Sequence, residues 1–438
     1  MRNSKISQPV SRRDFLKTTA TATGLSMSPL IQSENFAYGA GSDTIKVGLV
    51  GSGGRGTGAA RDCAVSADGV EIVAMADLFR DRLEARREPL KEAIGDKYKV
   101  TDNRCYSGFD AYKELIDSDV DLVILATPPG FRPQHFKYAV EAGKHVFMEK
   151  PASVDPTGAR SIIETGDLAA EKGLAVVAGT LYRRQDSFVE GVKRIHAGRI
   201  GDIVSASEYY LTGPIWLRPR KPGMSDMEWQ CRNWYYFTWL SGDQIVEQFV
   251  HNLDVINWVM QGPPVSCIGS GGRTQRVDPN YGHIYDNFSI EYVYENGVRV
   301  TAMCRQMENC YSRVSNRIIG TKGIADLNPD HSIITTHKGK VEFEFPEKGN
   351  NGYIQEHTDL INSIRENKPL NEARQIAYST LTAVMGREAC YTGQEITWDQ
   401  IMGSTQNLVP DDFAFSSMQS HSVAVPGVTQ MDRNYASL

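Results

Sequence analysis

Ile45-Lys46-Val47-Gly48-Leu49-Val50-Gly51-Ser52-Gly53-Gly54-Arg55-Gly56 is the stretch whose reading decides the fold. Ile45, Val47 and Leu49 make a short β-rich run, and Gly51-x-Gly53-x-x-Gly56 closes it just before a helix-like segment. In that setting each glycine has a physical reason. Gly51 allows the tight turn, Gly53 lets backbone approach a pyrophosphate, and Gly56 permits close helix–strand packing. The helix N-terminus, with Gly54 and Arg55 in its first turn, offers free N–H groups to phosphate. The bland alternative is a glycine turn without a ligand. A second strand over 70–76 ends at Asp77, 21 residues beyond Gly56. A carboxylate there can bond both ribose hydroxyls, which favours NAD because a 2′-phosphate would meet negative charge. Arg80 lies close enough in sequence to keep NADP as the alternative.

Outward from this point, apolar runs alternate with helical patterns. The run 122–126 closes on Thr127-Pro128-Pro129, and 145–148 closes on Glu149-Lys150-Pro151. Helices are predicted over 133–142 and 156–172, with one more strand at 175–178. This rhythm implies a parallel sheet covered on both faces, an N-terminal Rossmann domain over 44–180. Ligands of such sheets bind at the carboxyl ends of the strands, where Thr127, Pro128 and Glu149 would lie; a plain strand-ending turn is the other reading. After Thr180 the pattern changes. Strands are predicted over 203–211, 287–294, 298–303, 314–319 and 340–345, with turn signals such as Glu295-Asn296-Gly297 between them. Helices are predicted over 243–260, 353–366 and 373–391. The fold class is therefore α/β: the Rossmann domain, then an α/β domain over 181–421 with an open, mainly antiparallel sheet. That second domain is expected to serve substrate binding and oligomerisation, with a loosely held tail over 422–438.

The 438 residues, 41% hydrophobic and 23% charged, have room for two such domains and the composition of an ordinary globular chain. A net charge of −6 gives no bulk attraction to nucleic acid or anionic lipid. Ahead of the fold, Ser11-Arg12-Arg13-Asp14-Phe15-Leu16-Lys17 precedes a weakly apolar stretch rich in Ala, Thr and Ser. It resembles a twin-arginine export signal, so residues 1–43 are expected to be a leader and linker, and the protein periplasmic or otherwise exported. The apolar stretch is too short and polar for a stable membrane anchor. The seven cysteines show no CxxC spacing and read as mostly buried small hydrophobes.

The chemistry is expected at two places. Lys150, at the carboxyl end of its strand, would point toward the nicotinamide end of the cleft, where an ammonium can stabilise a substrate oxygen. A surface lysine beside a loop proline is the alternative. Within 243–260, at about 100° per residue, Glu247, His251, Asp254 and Trp258 share an arc of about 60° opposite an apolar face. An imidazole between two carboxylates would have its tautomer fixed and its protonated form favoured, as a proton-accepting base requires. The alternatives are a solvated face and a metal site, for which no second His or Cys completes a ligand set.

Taken together, the glycine fingerprint, Glu149-Lys150-Pro151, the acid-x3-His251-x2-Asp254 helix, Pro133-x-His135 and Gly143-Lys144-His145-Val146 resemble the glucose–fructose oxidoreductase/inositol dehydrogenase/rhizopine-catabolism (Gfo/Idh/MocA) family over roughly 44–402. The resemblance implies an NAD(P)-dependent oxidoreductase acting on a secondary alcohol of a sugar, cyclitol or related polyol. It implies Lys150 and His251 as the catalytic pair with Glu247 beside them, Asp254 as a substrate ligand, His135 among the cofactor residues, and a cis Lys150–Pro151 bond. It also implies a homo-oligomer, dimer or tetramer. Where inositol dehydrogenase-like members carry Asp four residues before the histidine, this chain has Glu247, which puts the substrate in doubt more than the chemistry.

An insert over 211–240 carries Trp216, Arg218, Arg232, Trp234 and further aromatics, preceded by Tyr182 and Arg183. Tyr182, Arg183 and Trp234 suit sugar stacking and hydroxyl recognition, although an oligomer contact uses the same residue types. An exported enzyme cannot readily recycle free NADH, so a tightly held cofactor is expected. Some exported relatives of the family are NAD-dependent glycosidases, so hydrolysis through transient sugar oxidation is a second reading. A non-catalytic nucleotide-dependent sensor is a third.

Overall fold

The computed structural model describes residues 44–329, 331–345, 349–418 and 422–434. The expected leader at 1–43 lies outside the described residues.

Six strands form the first sheet: β1 (Ile45–Val50), β2 (Val70–Asp77), β3 (Cys105–Ser107), β4 (Leu122–Leu125), β5 (His145–Met148) and β6 (Val176–Ala178). They run in the order β3-β2-β1-β4-β5-β6, and every pairing is parallel. The order reverses beside β1, so β1 and β4 diverge into helices on opposite faces and leave a crevice at their carboxyl ends. Helices α1 (Gly54–Ser66), α2 (Arg80–Ile94), α3 (Arg132–Glu141) and α4 (Pro156–Glu171) cover the sheet. The strands are buried along almost their whole length, which explains their near-continuous apolar runs.

The second sheet has nine strands: β7 (Ile203–Thr212), β8 (Ser266–Gly272), β9 (Asn287–Val293), β10 (Arg299–Gln306), β11 (Arg313–Gly320), β12 (Gly323–Leu327), β13 (Ser332–Thr336), β14 (Val341–Glu344) and β15 (Ile396–Thr397). Only the β7–β10 pair is parallel, so the sheet is mainly antiparallel as expected. The burial of β10 alternates, exposed then buried, which is the signature of a sheet with one open face.

The chain does not leave the first domain for good at residue 180. Helix α7 (Gly352–Arg365) sends Leu360, Ile361 and Ile364 into the core beneath β1, β2 and β4, and Ala373, Ile376 and Ala377 of α8 (Ala373–Thr392) join the other face. Nor is the described part of the tail loosely held: Arg433 donates to buried Glu388 at 2.7 and 3.0 Å, and Asp432 accepts from Ser404 at 2.5 Å. Glu388 is fully buried, so without that guanidinium an ionised carboxylate would lose half of its compensation.

Candidate functional site

The glycine loop shows why its residues are glycines. Gly51 has φ +98°, and a Cβ there would sit 2.6 Å from the main chain of Ala126 and Thr127. A Cβ on Gly56 would lie 1.9 Å from Gly51 O, whereas one on Gly53 would meet no protein atom. The first two therefore close the strand–helix turn, and the open side of Gly53 is where a ligand's phosphates can approach. No side chain caps α1, which leaves its first N–H groups available to an anion. These residues line a cavity of about 610 Å³ together with Asp77, Thr127, Pro128 and His135. Both the cradle and the volume fit a dinucleotide.

Around that cavity the expected cofactor residues divide. Asp77 lies on the wall, but its oxygens accept from the backbone N–H groups of Ser52 and Phe79, each at 2.9 Å. It thus fixes the two loops that frame the ribose position, while burial raises its pKa. His135 stacks on Tyr112 at 4.0 Å and its Nδ1 lies 3.2 Å from Thr127 Oγ1. Burial, with Arg132 nearby, lowers its pKa to about 3, so the ring is neutral and buttresses the Thr127 loop. Arg55 lines the cavity and donates from Nε to Glu149 at 2.5 Å, with Tyr353 beneath its guanidinium at 4.5 Å. Glu149 therefore acts through Arg55.

Lys150 follows β5 and is joined to Pro151 by a cis peptide bond. Its ammonium donates to the backbone carbonyl of Glu247 and to Glu247 Oε1 at 3.0 Å. Burial raises the Glu247 pKa against the opposing charge of Lys150.

The expected continuous helix over 243–260 is broken. Asp243, at φ +78°, caps a short α5 (Gln244–Glu247), and α6 (Val250–Met260) starts after an irregular turn at Gln248 and Phe249. There Phe249 N bonds back five residues to Gln244 O, a one-residue bulge that shifts the helical register. Glu247 is consequently out of register with His251, whereas Asp254 keeps its place three residues on in the same helix. Glu247 turns to Lys150, and Asp254 is buried, accepting from Arg183 at 2.7 and 3.0 Å, Gln375 at 3.1 Å and Ser379 at 2.7 Å. Asp254 thus organises Arg183. Trp258 packs beneath Arg183.

His251 is half-buried as a residue and lies 5.3 Å from Tyr182, ring to ring. Burial, reinforced by the positive charges of Lys150 and Arg55, holds its pKa well below 6.5. The expectation that acids favour its protonated form is reversed: the imidazole is neutral at pH 7. It is consequently a base already in its proton-accepting form.

Two residues that the sequence reading passed over belong to this neighbourhood. Tyr210 donates to Gln248 at 2.9 Å, and Tyr353 underlies Arg55. Neither sits in a motif; only their positions on β7 and α7 bring them here. Arg132, equally unmarked in sequence, donates to the carbonyls of Thr127 and Pro151. Trp234 lines the dinucleotide cavity. Among the described residues no group of three or more His, Cys, Asp or Glu side chains is placed to hold a metal, and no helix is long and apolar enough to cross a membrane.

Residues 45–180 match the Gfo/Idh/MocA profile described as "Oxidoreductase family, NAD-binding Rossmann fold", and residues 189–326 match its "GFO/IDH/MocA C-terminal domain". The chain belongs to the Gfo/Idh/MocA oxidoreductase family. The Gfo/Idh/MocA C-terminal match contains the insert as well as most of the second sheet. An inositol 2-dehydrogenase of Serratia proteamaculans is 24% identical over 365 residues, covering 80% of this chain and 94% of that protein. A glycosyl hydrolase family 109 protein of Porphyromonas gingivalis is 29% identical over 172 residues, 39% of this chain and 35% of that protein. Several other curated relatives, among them an oxidoreductase of Streptococcus pneumoniae, are matched over only 55 to 60% of their own length. The same fold occurs in a scyllo-inositol dehydrogenase of Lactobacillus casei solved with NAD(H) and scyllo-inositol, with a TM-score of 0.61, 21% identity, and 81% and 99% of the two chains covered.

Proposed function

We propose that this protein interconverts a secondary alcohol and a ketone on the ring of a sugar, cyclitol or related polyol. The observation that carries the reading is the Lys150 ammonium held by Glu247 at the carboxyl end of β5, near enough to His251 for its charge to act on that ring. Bound NAD supplies the hydride acceptor for the oxidation. His251 takes the hydroxyl proton, Lys150 stabilises charge gathering on the substrate oxygen, and Glu247 aims the Lys150 ammonium. Gly51, Gly53 and Gly56 hold the dinucleotide, with Asp77, Thr127 and His135 framing its ribose and nicotinamide ends. Inositol dehydrogenases among the relatives support a polyol substrate.

In this reading the twin-arginine leader exports the enzyme to the periplasm, the cofactor is tightly held, and the open sheet face joins subunits into a homo-oligomer. Spectrophotometry of the purified protein with NAD and a panel of cyclitols and sugars tests the core of it. NADH formation with one ring polyol, abolished in Lys150→Ala, is the expected result. No NADH from any member counts against it.

A second reading has one specific support, the match to the glycosyl hydrolase family 109 protein. Here the same proton-handling residues act on a glycoside, which is cleaved with no net change in cofactor oxidation state. Aglycone release without NADH accumulation separates it from the first reading.

A further inference from the structure

The insert over 211–240 does not reach the Lys150–His251 end of the site. Trp216, Arg218, Arg232 and Trp234 line the same cavity as the glycine loop and Asp77, whereas Lys150 and His251 do not line it. The insert docks on the segment that follows β2. Arg232 donates to both carboxylate oxygens of Asp81 at 3.1 and 3.3 Å and covers the Phe79 ring at 3.9 Å. A second brace comes from later in the chain: Phe415 stacks on Phe79 at 5.8 Å, and Met418 N donates to Asp226 at 3.0 Å. This is a built wall. In a sheet of this order the β2 side of the crevice takes the adenosine half of a dinucleotide, and the β4–β5 side takes the nicotinamide half.

We infer that the insert is the outer wall of the adenosine subsite, with Trp216 and Trp234 offering their ring faces to adenine and Arg218 its charge to the neighbouring phosphates. Trp216 is 40% exposed and stands 5.9 Å from Trp234, ring to ring, a large apolar surface on a cavity wall that a planar base can cover. Stacking of a base on such a ring is indifferent to which base it is but demands a flat partner. The guanidinium of Arg218 lies 5.3 Å over Trp216 and makes no side-chain hydrogen bond among the described residues, which leaves its donors for an anion. Arg82 shares this wall with only a distant carboxylate, Asp77 at 3.9 Å. The inference rests on the dinucleotide reading of the cavity and assigns it a contribution from outside the Rossmann domain.

Binding of three probes tests it: NAD, ADP, which carries the adenosine half alone, and nicotinamide mononucleotide, which lacks it. Trp216→Ala and Trp234→Ala are expected to weaken NAD and ADP roughly tenfold and to leave the mononucleotide unchanged. The retained mononucleotide affinity doubles as a control for folding. Arg218→Ala, with an exposed side chain, should weaken the same two ligands. Unchanged NAD and ADP affinity, an equal loss for all three probes, or a raised KM for the polyol alone would each overturn the inference. Failure of the unaltered protein to bind NAD would overturn the dinucleotide reading itself, and the inference with it.

Discussion

The Lys150 ammonium bonds Glu247 twice, at its backbone carbonyl and at Oε1, 3.0 Å away. The main-chain bond fixes where the ammonium lies, and the carboxylate compensates its charge. Both side chains are nearly enclosed, at 11% and 10% exposure. Removing one partner of such a pair costs more than the pair contributes, because the survivor stays buried and charged. Lys150→Met is expected to lower turnover by about 10²–10⁴-fold and stability by about 3 kcal/mol. Adding Glu247→Gln should restore most of the stability and none of the turnover. Thermal unfolding and steady-state kinetics of the two variants check this.

As the proposed base, His251 is expected to set the acid side of the pH profile. Burial and the charges of Lys150 and Arg55 lower its pKa, so the neutral ring persists to lower pH than that of a free histidine. The acid limb of kcat/KM for alcohol oxidation is therefore expected well below pH 6.5. Lys150→Met removes a positive neighbour and should move the ring's titration back up, which histidine NMR can follow even where activity is lost. A limb near pH 6.5 in the unaltered enzyme would exclude His251 as the depressed base.

Asp254 distinguishes a structural carboxylate from a substrate ligand. Its oxygens accept from Arg183, Gln375 and Ser379, tying the segment after β6 to α6 and α8. Asp254→Ala leaves Arg183 without its acceptor and is expected to cost about 3–5 kcal/mol. KM should rise because Arg183 is released. A free substrate ligand would instead show an unchanged unfolding temperature with KM alone affected.

The sequence made the Rossmann half legible because each part of it is local. A glycine turn, an acid ending β2 and buried parallel strands leave marks in short windows. The long strands β7, β9, β10 and β11 were readable for the same reason, and the four-residue β14 through the turn signal before it. Strands β8, β12 and β13 were not, since Gly-rich Ser266–Gly272 and the short Gly323–Leu327 and Ser332–Thr336 carry weak alternation. The site residues Lys150 and His251 lay in recognisable motifs, but their partners did not follow from spacing. A one-residue bulge at Gln248–Phe249 put Glu247 out of register with His251, and helical periodicity assumes no bulge; Asp254, in the same helix as His251, is instead engaged by Arg183, Gln375 and Ser379. That Trp234 lines the dinucleotide cavity was not legible either, because an aromatic–arginine insert announces a planar ligand and not which one. Helix α7 returns to the first sheet through contacts more than 200 residues distant, such as Thr358 Oγ1 to Ser66 O at 3.4 Å, which no window spans.

Arg132 offers the sharpest test of how the Lys150 loop is held. It lies on α3 and is 1% exposed, yet its guanidinium meets carbonyls rather than a carboxylate. One arm donates to Pro151 O at 2.5 Å and the other to Thr127 O, while Nε is buried without a partner. Burial lowers its pKa to about 10, with Glu149 and Glu247 opposing, so it remains charged at pH 7. The side chain thus clamps the loops that end β4 and β5, one framing the cofactor and the other carrying Lys150. Arg132→Met preserves much of the volume and removes both donors; Arg132→Lys can satisfy only one carbonyl at a time. A small misplacement of a reacting group can cost 10²-fold in rate. Arg132→Met is accordingly expected to lower kcat by roughly 10²-fold with the KM for polyol little changed. Arg132→Lys should recover part of that loss. If kcat and the unfolding temperature fall together in Arg132→Met and Arg132→Lys restores neither, the arginine supports the fold generally. If kcat falls while the protein unfolds where the unaltered one does, the clamp acts on Lys150.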